Sequence, residues 1–598
     1  MTHMPTMPRQ STETQTLPAM FLATTSQWSH QNLLNYPDGT GGWRAVSTTA
    51  ARERIRNLAL GLHDLGVARG ERVGLISPPS PEWLIADLAI QSIGAVTVPI
   101  FKKISPESFE HEVRDSGMRY LFVGYPEEIP MAVEHGPGLA ELITFGCCTD
   151  NERYDELMTR GEEIAETVPT RFQELVDRGS SDDLCTIIYT SGSTGLPKGV
   201  ELTQANLISQ IEGARRRFSL APQRDRAMSL LPLAHIFERM VVYFYLTNGM
   251  RVFFVDDPKQ LTTYAPQVKP TVMTVVPRLL EKVYAKMKDK AAATPGLKGK
   301  LAAAAIARAE VKDVDARRTL TDRFFDALVY KKFRAALGGE THTLISGSAK
   351  LAKEIAQFFV NVGLPVYEGY GMTESSPVIA VNYYGHRKLG TVGPLLPDVE
   401  VTIAEDGEIL ARGPNVMRGY HNRPDATAET LADGWLHTGD LGSLDEDGYL
   451  TVTGRKKELF KKSTGEYVPP TPIERAIAEH PAVDTAVIFA DNRVYVTALI
   501  FPDMEKVASI RSDRGFAAMS DQEYLVSDHL REDIEKHIDE VNRHRHHCER
   551  VVKFEILDHG ATIESGELTP TMKVRRSKVE QMYKDTIEEM YQQIGGNK

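Results

Sequence analysis

The stretch Thr190-Ser191-Gly192-Ser193-Thr194-Gly195-Leu196-Pro197-Lys198-Gly199 constrains the fold more than any other. Short apolar runs flank it, Cys185 to Tyr189 and Val200 to Leu202, so it reads as a loop joining two strands. Glycines at 192, 195 and 199 carry no side chains and admit positive φ, which lets backbone N–H groups turn inward around an anion. Thr190, Ser191, Ser193 and Thr194 add hydroxyl donors, and Lys198 adds a positive charge. Together they form a cradle for phosphate. It is not a Walker A loop, because no G-x-x-x-x-G-K-[ST] register fits and Pro197 opposes a helix running straight out of the loop. A flexible surface linker is the plain alternative, but a linker needs neither the lysine nor the proline.

The 598 residues are enough for several domains, and 42% hydrophobic with 25% charged residues is ordinary for a soluble globular protein. A net charge of −12 argues against a nucleic-acid binder. The four cysteines, Cys147, Cys148, Cys185 and Cys548, form no C-x-x-C, which predicts reduced thiols and a cytoplasmic protein. The polar N-terminus predicts no secretory signal, and no apolar run reaches the ~18 residues of a spanning helix.

Along the chain, residues 1–20 read as a disordered lead. Thr48 to Gly66 has helical spacing, with Ile55, Leu58, Leu60, Leu62 and Leu65. Val73 to Ser77 predicts a buried strand, Trp83 to Ser92 a helix, Ala95 to Ile100 the next strand and Tyr120 to Gly124 another. Strand–helix–strand at this spacing predicts a parallel sheet, and residues 182–390 repeat the alternation. The sequence therefore predicts an α/β protein. Residues 279–337 are basic and alanine-rich, with Lys282, Lys286, Lys288, Lys290, Lys298 and Lys300. They fit either a solvated helical face or a contact with a membrane surface.

Five further stretches carry chemistry. In Leu231-Pro232-Leu233-Ala234-His235-Ile236-Phe237-Glu238-Arg239, a histidine lies beside aromatics and a Glu-Arg pair; it is either a packed histidine with a structural ion pair or the wall of an apolar pocket. Leu344 to Ala349, with Gly347 and Ser348, and Val366 to Glu374 are strands ending in small residues, where a ligand can approach the backbone closely. In the second, Glu368-Gly369-Tyr370-Gly371-Met372-Thr373-Glu374 offers a flat ring to a base, a hydroxyl to a phosphate and a carboxylate to Mg²⁺. Asp433 to Leu441 is bracketed by turn residues and reads as a loop in which Asp440 accepts from ribose hydroxyls or caps a turn. Near the end, Leu568-Thr569-Pro570-Thr571-Met572-Lys573-Val574 sets one lysine among turn formers ahead of a basic helix. His544-Arg545-His546-His547-Cys548 matches no ordinary zinc spacing and reads as an exposed helix face.

The order of these motifs resembles the adenylate-forming superfamily. The phosphate loop, the Tyr370-Gly371-Met372-Thr373-Glu374 motif, the run from Asp433 to Lys461 and the terminal Lys573 motif fall in that family's sequence. The third is similar to the signature of fatty acyl-CoA synthetases, and Leu231 to Arg239 is similar to the acyl-pocket motif of the long-chain branch. The resemblance implies a large N-terminal domain of mixed and parallel sheets flanked by helices, residues 21–454, and a small hinged C-terminal α+β domain, residues 455–598. It implies ATP, Mg²⁺ and coenzyme A: a long-chain fatty acid is joined to AMP with release of pyrophosphate, then passed to coenzyme A. The rival reading is an acyl-AMP ligase that delivers to a carrier protein or another acceptor. Carried onto this chain, the resemblance implies that Thr190 to Gly195 and Lys198 hold phosphates, and that Gly347, Ser348, Glu368, Gly369, Tyr370, Gly371 and Thr373 line the nucleotide. Thr190 and Glu374 bind the metal. Asp440 and Arg455 contact ribose, Lys457 is the hinge pivot, Lys461 reaches ATP or coenzyme A phosphates, and Lys573 is the adenylation lysine. His235, Lys198, Glu374 and Lys573 make the catalytic set. Thr464-Gly465 stands where many relatives have two glycines. Two contacts are left open, a peripheral one at the inner face of a membrane and a homodimer.

Overall fold

The computed structural model describes residues 16–190, 196–456, 459–569 and 573–595, with residues 593–595 described by backbone alone. Ser191 to Gly195, Lys457 and Glu458, and Pro570 to Met572 lie outside the described residues. The chain divides into two compact units. The first is built on residues up to 190, 196–438 and 443–451; the second on 439–442 and residues from 452 on.

Two large sheets organise the first unit. The seven-stranded sheet runs in the order Gly419–Tyr420, Lys198–Thr203, Leu184–Thr190, Val96–Pro99, Arg72–Ile76, Tyr120–Val123, Glu141–Thr144. Its pairings from Leu184–Thr190 through Glu141–Thr144 are parallel, and the first two are antiparallel. The eight-stranded sheet runs Val378–Val381, Val366–Gly371, Thr343–Ser346, Val272–Val275, Arg226–Ser229, Arg251–Phe254, Leu34–Pro37, Trp43–Val46, with antiparallel pairs only at its two edges. The central strands are apolar without alternation, as expected where both faces are covered. The predicted strands at 72–76, 96–99 and 120–123 and the helices Thr48–Asp64 and Pro81–Ser92 form the parallel βαβ arrangement that the sequence implied.

The helix Ile236–Thr247 is buried on every side, because it lies between the two sheets. Its Tyr245 hydroxyl meets Thr274 Oγ1 of one sheet at 3.1 Å, and Arg239 Nη1 donates to Thr186 Oγ1 of the other at 2.7 Å. The run Tyr243 to Leu246 is thus core, as its shortness suggested. The strands Gly393–Pro394, Glu400–Ile403, Glu408–Arg412 and Leu431–Ala432 belong to a further, six-stranded sheet.

The second unit is centred on a three-stranded sheet, Val483–Phe489, Val496–Pro502 and Val551–Ile556, the first pair antiparallel and the second parallel. Alternation sends successive side chains to opposite faces. Ala486 and Ile488 pack with Ile473, Ile477, Ile534 and Ile538 on one side; Val487 and Phe489 pack with Val579, Ile587 and Met590 on the other.

Three sequence expectations need correction. Residues 17–20 do not belong to a disordered lead: Leu17–Gln27 is a helix, capped by the Thr16 side chain and starting with Pro18 in its first turn, and it buries Leu17, Met20 and Phe21. Asp433 to Leu441 is not a loop. Asp433 and Gly434 form a tight turn at positive φ between Leu431–Ala432 and the strand Trp435–Leu444, which then runs on through Asp440. His544 to Cys548 is not a helix face either: the helix Asp528–Arg543 ends at His544, and Cys548 is buried in the following turn.

Candidate active site

Ligands in open α/β sheets bind off the carboxyl ends of strands, and the predicted residues of the first unit collect there. Thr190 closes the strand Leu184–Thr190, and Lys198 opens the antiparallel strand opposite it, the two being register partners. Gly347 and Ser348 follow Thr343–Ser346, while Glu368 to Gly371 end Val366–Gly371. His235 follows Arg226–Ser229 through a short connection.

Tight backbone packing explains the small residues. A Cβ at Gly371 would sit 1.7 Å from the Pro377 carbonyl oxygen, beside a register shift between Tyr370 and Gly371. Met372 N donates to that same oxygen at 3.0 Å. The strand therefore turns sharply into the short 3₁₀ turn Thr373–Ser375, leaving Tyr370 and Thr373 half-buried and Glu374 buried. A Cβ at Gly347 would meet the Phe237 ring at 2.9 Å, so the end of Thr343–Ser346 and the start of the helix Ile236–Thr247 touch. Ser348 is exposed and holds a φ of 70°, a conformation that costs a non-glycine residue energy.

His235 caps that helix, its Nδ1 accepting from Phe237 N at 3.2 Å. The ring lies edge-on to Phe101 with centroids 6.4 Å apart. The adjacent Glu238 and Arg239, read in the sequence as one pair, are not partners. Arg239 donates twice to Asp87, at 2.6 and 2.8 Å, in a fully buried ion pair. Glu238 Oε1 accepts from Ser229 Oγ at 2.5 Å, and burial pushes its carboxyl up to about 8. Successive helical residues point about 100° apart, so neighbours in sequence face different surroundings.

Tyr420 joins two of the predicted residues. Its hydroxyl donates to Glu374 Oε1 at 2.8 Å, and Lys198 Nζ lies over its ring, 4.9 Å from the centroid. Burial and the Glu374 carboxylate push the phenol well above its ordinary range. The strand Gly419–Tyr420 pairs with Lys198–Thr203, and Met417 N donates to the Glu374 carbonyl at 2.9 Å. Lys198 and Glu374, 176 positions apart by their numbers (374 − 198), are thus set around one aromatic ring. Nothing local in the sequence marks Tyr420; its role follows from a strand pairing across more than 200 positions.

In the second unit, Arg455 Nε stands 3.1 Å from Asp440 Oδ1, which brings the two predicted ribose residues together. Asp440 is buried and Arg455 exposed. Lys461 ends the first strand of the hairpin Phe460–Lys461/Tyr467–Val468 and is exposed. Lys573 is exposed on a turn held by Thr569 N to Lys573 O at 2.7 Å and Lys573 N to Thr569 Oγ1 at 3.0 Å. Of the remaining predicted residues, Ser191, Gly192, Ser193, Thr194, Gly195 and Lys457 lie outside the described residues.

An α/β architecture with polar groups at strand ends defines a class of proteins that can bind ligands there. Within it, the chain belongs to the AMP-binding enzyme family, whose description matches residues 25–421, with the family's C-terminal domain matching residues 458–595. It is 38% identical over 563 residues to the long-chain-fatty-acid–CoA ligase FadD15 of Mycobacterium bovis, covering 92% of this chain and 93% of that one. It is 30% identical to long-chain-fatty-acid–CoA ligase 6 of Mus musculus, covering 93% and 83%. Its fold is similar to that of the anthranilate CoA ligase AuaEII in complex with anthranoyl-AMP, with a TM-score of 0.71 at 19% identity, covering 96% of this chain and 98% of that one.

Proposed function

We propose that this enzyme activates a long-chain fatty acid with ATP to acyl-AMP and pyrophosphate, then transfers the acyl group to coenzyme A. The observation that carries the reading is the joint placement of Lys198 and Glu374 around Tyr420, beside the strand end at Thr190. A cation and a carboxylate at that spot suit a polyphosphate and its metal. The similarity to named long-chain-fatty-acid–CoA ligases over nine-tenths of the chain supports the acid and the acceptor.

In this reading Lys198 and the 190–195 loop bind the phosphates. Glu374 and Thr190 are hard oxygen donors of the kind Mg²⁺ prefers, and together they would hold it. Among the described residues no group of three or more His, Cys, Asp or Glu side chains is arranged as a metal cage. The metal supplies Lewis-acid stabilisation of charge on the phosphates. Tyr370 stacks on adenine, with Gly347, Ser348, Glu368, Gly369 and Gly371 along the nucleotide and Thr373 on a phosphate. Asp440 and Arg455 hold ribose. His235 and Phe237 face the acyl group. Lys573 offsets charge as the fatty carboxylate attacks the α-phosphorus. The acid needs no base, since carboxylates ionise near pH 4. Lys457 serves as the pivot between half-reactions and Lys461 meets coenzyme A.

The test is pyrophosphate release across acids of increasing chain length, with and without coenzyme A, with products identified by mass. A coenzyme A-dependent thioester peaking at long chains is expected. Acyl-AMP that accumulates and ignores coenzyme A would instead assign delivery to a carrier protein, and no pyrophosphate with any acid would overturn the reading.

A further inference from the structure

A buried acid stands at the base of the turn that carries Lys573. The two arms of that turn pair level by level: Arg575 N donates to Glu567 O at 2.7 Å, Leu568 and Val574 form a bridge, and Thr569 N donates to Lys573 O at 2.7 Å. So short a two-stranded ladder is marginal by itself and needs an anchor.

The Glu567 side chain supplies one. It is wholly buried, and each of its oxygens accepts twice. Oε2 accepts from Thr562 N at 2.9 Å and from Ser565 Oγ. Oε1 accepts from the Tyr583 hydroxyl at 2.6 Å and from His559 Nε2 at 3.2 Å. Burial alone would raise this carboxyl, but the hydrogen bonds outweigh it and hold the group below its ordinary value, so it is ionised at neutral pH. Two of the donors are seated on the central sheet of the second unit. Phe501, on the strand Val496–Pro502, lies edge-on to Tyr583 with ring centroids 5.8 Å apart and to His559 at 6.2 Å. Fixed contacts thus run from the sheet through Tyr583 and His559 to the Glu567 carboxylate, and from the Glu567 backbone to the arm that holds Lys573.

We propose that Glu567 is a positioning residue for acyl-AMP formation: its buried carboxylate ties the base of the Lys573 turn to the sheet, so that the lysine is presented in one geometry. The proposal rests on the reading of Lys573 as the adenylation lysine and deepens it. Filling space alone would be served by a leucine, which buries no charge. A carboxylate adds short, directional, charge-assisted hydrogen bonds, which fix an orientation as apolar contact does not. Lysine has a flexible four-carbon stem, so its precision depends on its backbone. A misplacement of about 1 Å costs on the order of 10²-fold in rate.

The test measures the two half-reactions separately in the full chain. Glu567→Ala should lower acyl-AMP formation about 10²-fold and leave thioester formation from supplied acyl-AMP near the wild-type rate. General damage to the second unit would slow both, because the same reading places Lys461 of that unit against coenzyme A. In a Lys573→Ala background Glu567→Ala should add no further loss, as expected of residues that act together. Glu567→Gln, which keeps the shape and one acceptor oxygen, should lose less than Glu567→Ala. Tyr583→Phe keeps the ring on Phe501 and removes one donor; it should give the same split with a smaller loss, and it carries the test if Glu567→Ala does not fold. Amide hydrogen exchange reads the anchor directly. The Lys573 and Arg575 amides should exchange at least about 10-fold faster in either the Glu567→Ala or the Tyr583→Phe chain, with the strand Val496–Pro502 unchanged. The proposal is overturned if both half-reactions fall together, if the losses at Glu567 and Lys573 multiply in the double variant, or if those amides exchange as in the wild type. Failure of the ligase reading would show separately, as no pyrophosphate from the wild type with any acid or as Lys573→Ala forming acyl-AMP at the full rate, while the exchange result still decides whether Glu567 anchors the turn.

Discussion

Glu238 stands near the start of the helix that follows His235, fully buried, and its carboxyl is raised from 4.5 to about 8 by burial, against hydrogen bonds from Ser229, Thr274 and the backbone of Leu230 and Leu231. In the unfolded chain the same acid ionises near its ordinary value. Below that value both states are protonated and the group has no effect on stability. Between 4.5 and 8 the unfolded chain releases a proton that the folded chain keeps, so stability falls as pH rises. Each pH unit in that window costs about 1.4 kcal/mol, so the step from roughly pH 5 to pH 7.5 costs on the order of 3 kcal/mol. Glu238→Gln keeps the shape and removes the titration. With about 440 residues in the first unit and about 2 cal/mol/K of unfolding entropy per residue, that energy corresponds to roughly 3–4 °C. Wild type and variant would be melted by scanning calorimetry at both pH values, and the gap between them compared, so that all other titrating groups cancel. The variant's melting temperature, relative to wild type, should be about 3–4 °C higher at pH 7.5 than at pH 5. A gap that does not change with pH would refute the argument, because any packing effect of the amide is independent of pH.

Asp87→Asn should cost about 3–5 kcal/mol in denaturant unfolding, since it leaves the Arg239 guanidinium buried without its counter-charge; a loss below about 1 kcal/mol, the scale of an exposed pair, would mean that the site relaxes or hydrates. Lys573→Ala should lower acyl-AMP formation by about 10²–10³-fold while sparing thioester formation from supplied acyl-AMP, and equal loss in both half-reactions would remove its assigned role. Tyr420→Phe keeps the ring under Lys198 and deletes the hydroxyl on Glu374. It should reduce pyrophosphate release about 10–100-fold and raise the Mg²⁺ concentration needed, as loss of a hydrogen bond to a charged group implies; an unchanged Mg²⁺ dependence would detach Tyr420 from the metal residues.

Where the sequence was informative, the signal was local. The strands either side of Ser191 to Pro197 are short apolar runs cut off by Gly, Ser and Pro, and they form at 184–190 and 198–203. Gly371 was read as a place where a ligand approaches the backbone, but the close approach there is made by the chain's own Pro377 carbonyl. Local signals misled where one residue type serves two purposes. Asp433-Gly434 was read as one bracket of a loop, but it is the two-residue turn of a hairpin, after which the chain continues as strand. Gly439, at a φ of 69°, is a left-handed step within that strand rather than its end. Tyr420 was invisible because what matters about it, Lys198 beneath its ring and Glu374 on its hydroxyl, comes from residues 222 and 46 positions away (420 − 198 and 420 − 374).

The same limit explains why the Asp87–Arg239 pair escaped a reading of either stretch. Each residue is one of two charged positions in an otherwise mostly apolar helix, and only the tertiary arrangement makes them partners. That arrangement ties together the elements on which the candidate site depends. Asp87 belongs to the helix Pro81–Ser92 and also accepts from Thr97. Arg239 belongs to the helix that begins at His235, and its second branch reaches Thr186, four residues before Thr190 in the phosphate-loop strand. Gln91 in turn donates to Tyr243 of the His235 helix and accepts from Gln204, which follows the strand of Lys198. A hydrophobic contact tolerates sliding of one element along another, whereas a bidentate guanidinium–carboxylate pair with no water nearby has one good geometry. Buried ion pairs add little net stability compared with apolar packing, but slipping this one by a residue would strand both charges. The network therefore fixes the register of the His235 helix against the strand that ends at Thr190, so the acyl contact proposed at His235 and the phosphate contact proposed at Lys198, the register partner of Thr190, would be aligned by the same buried charges.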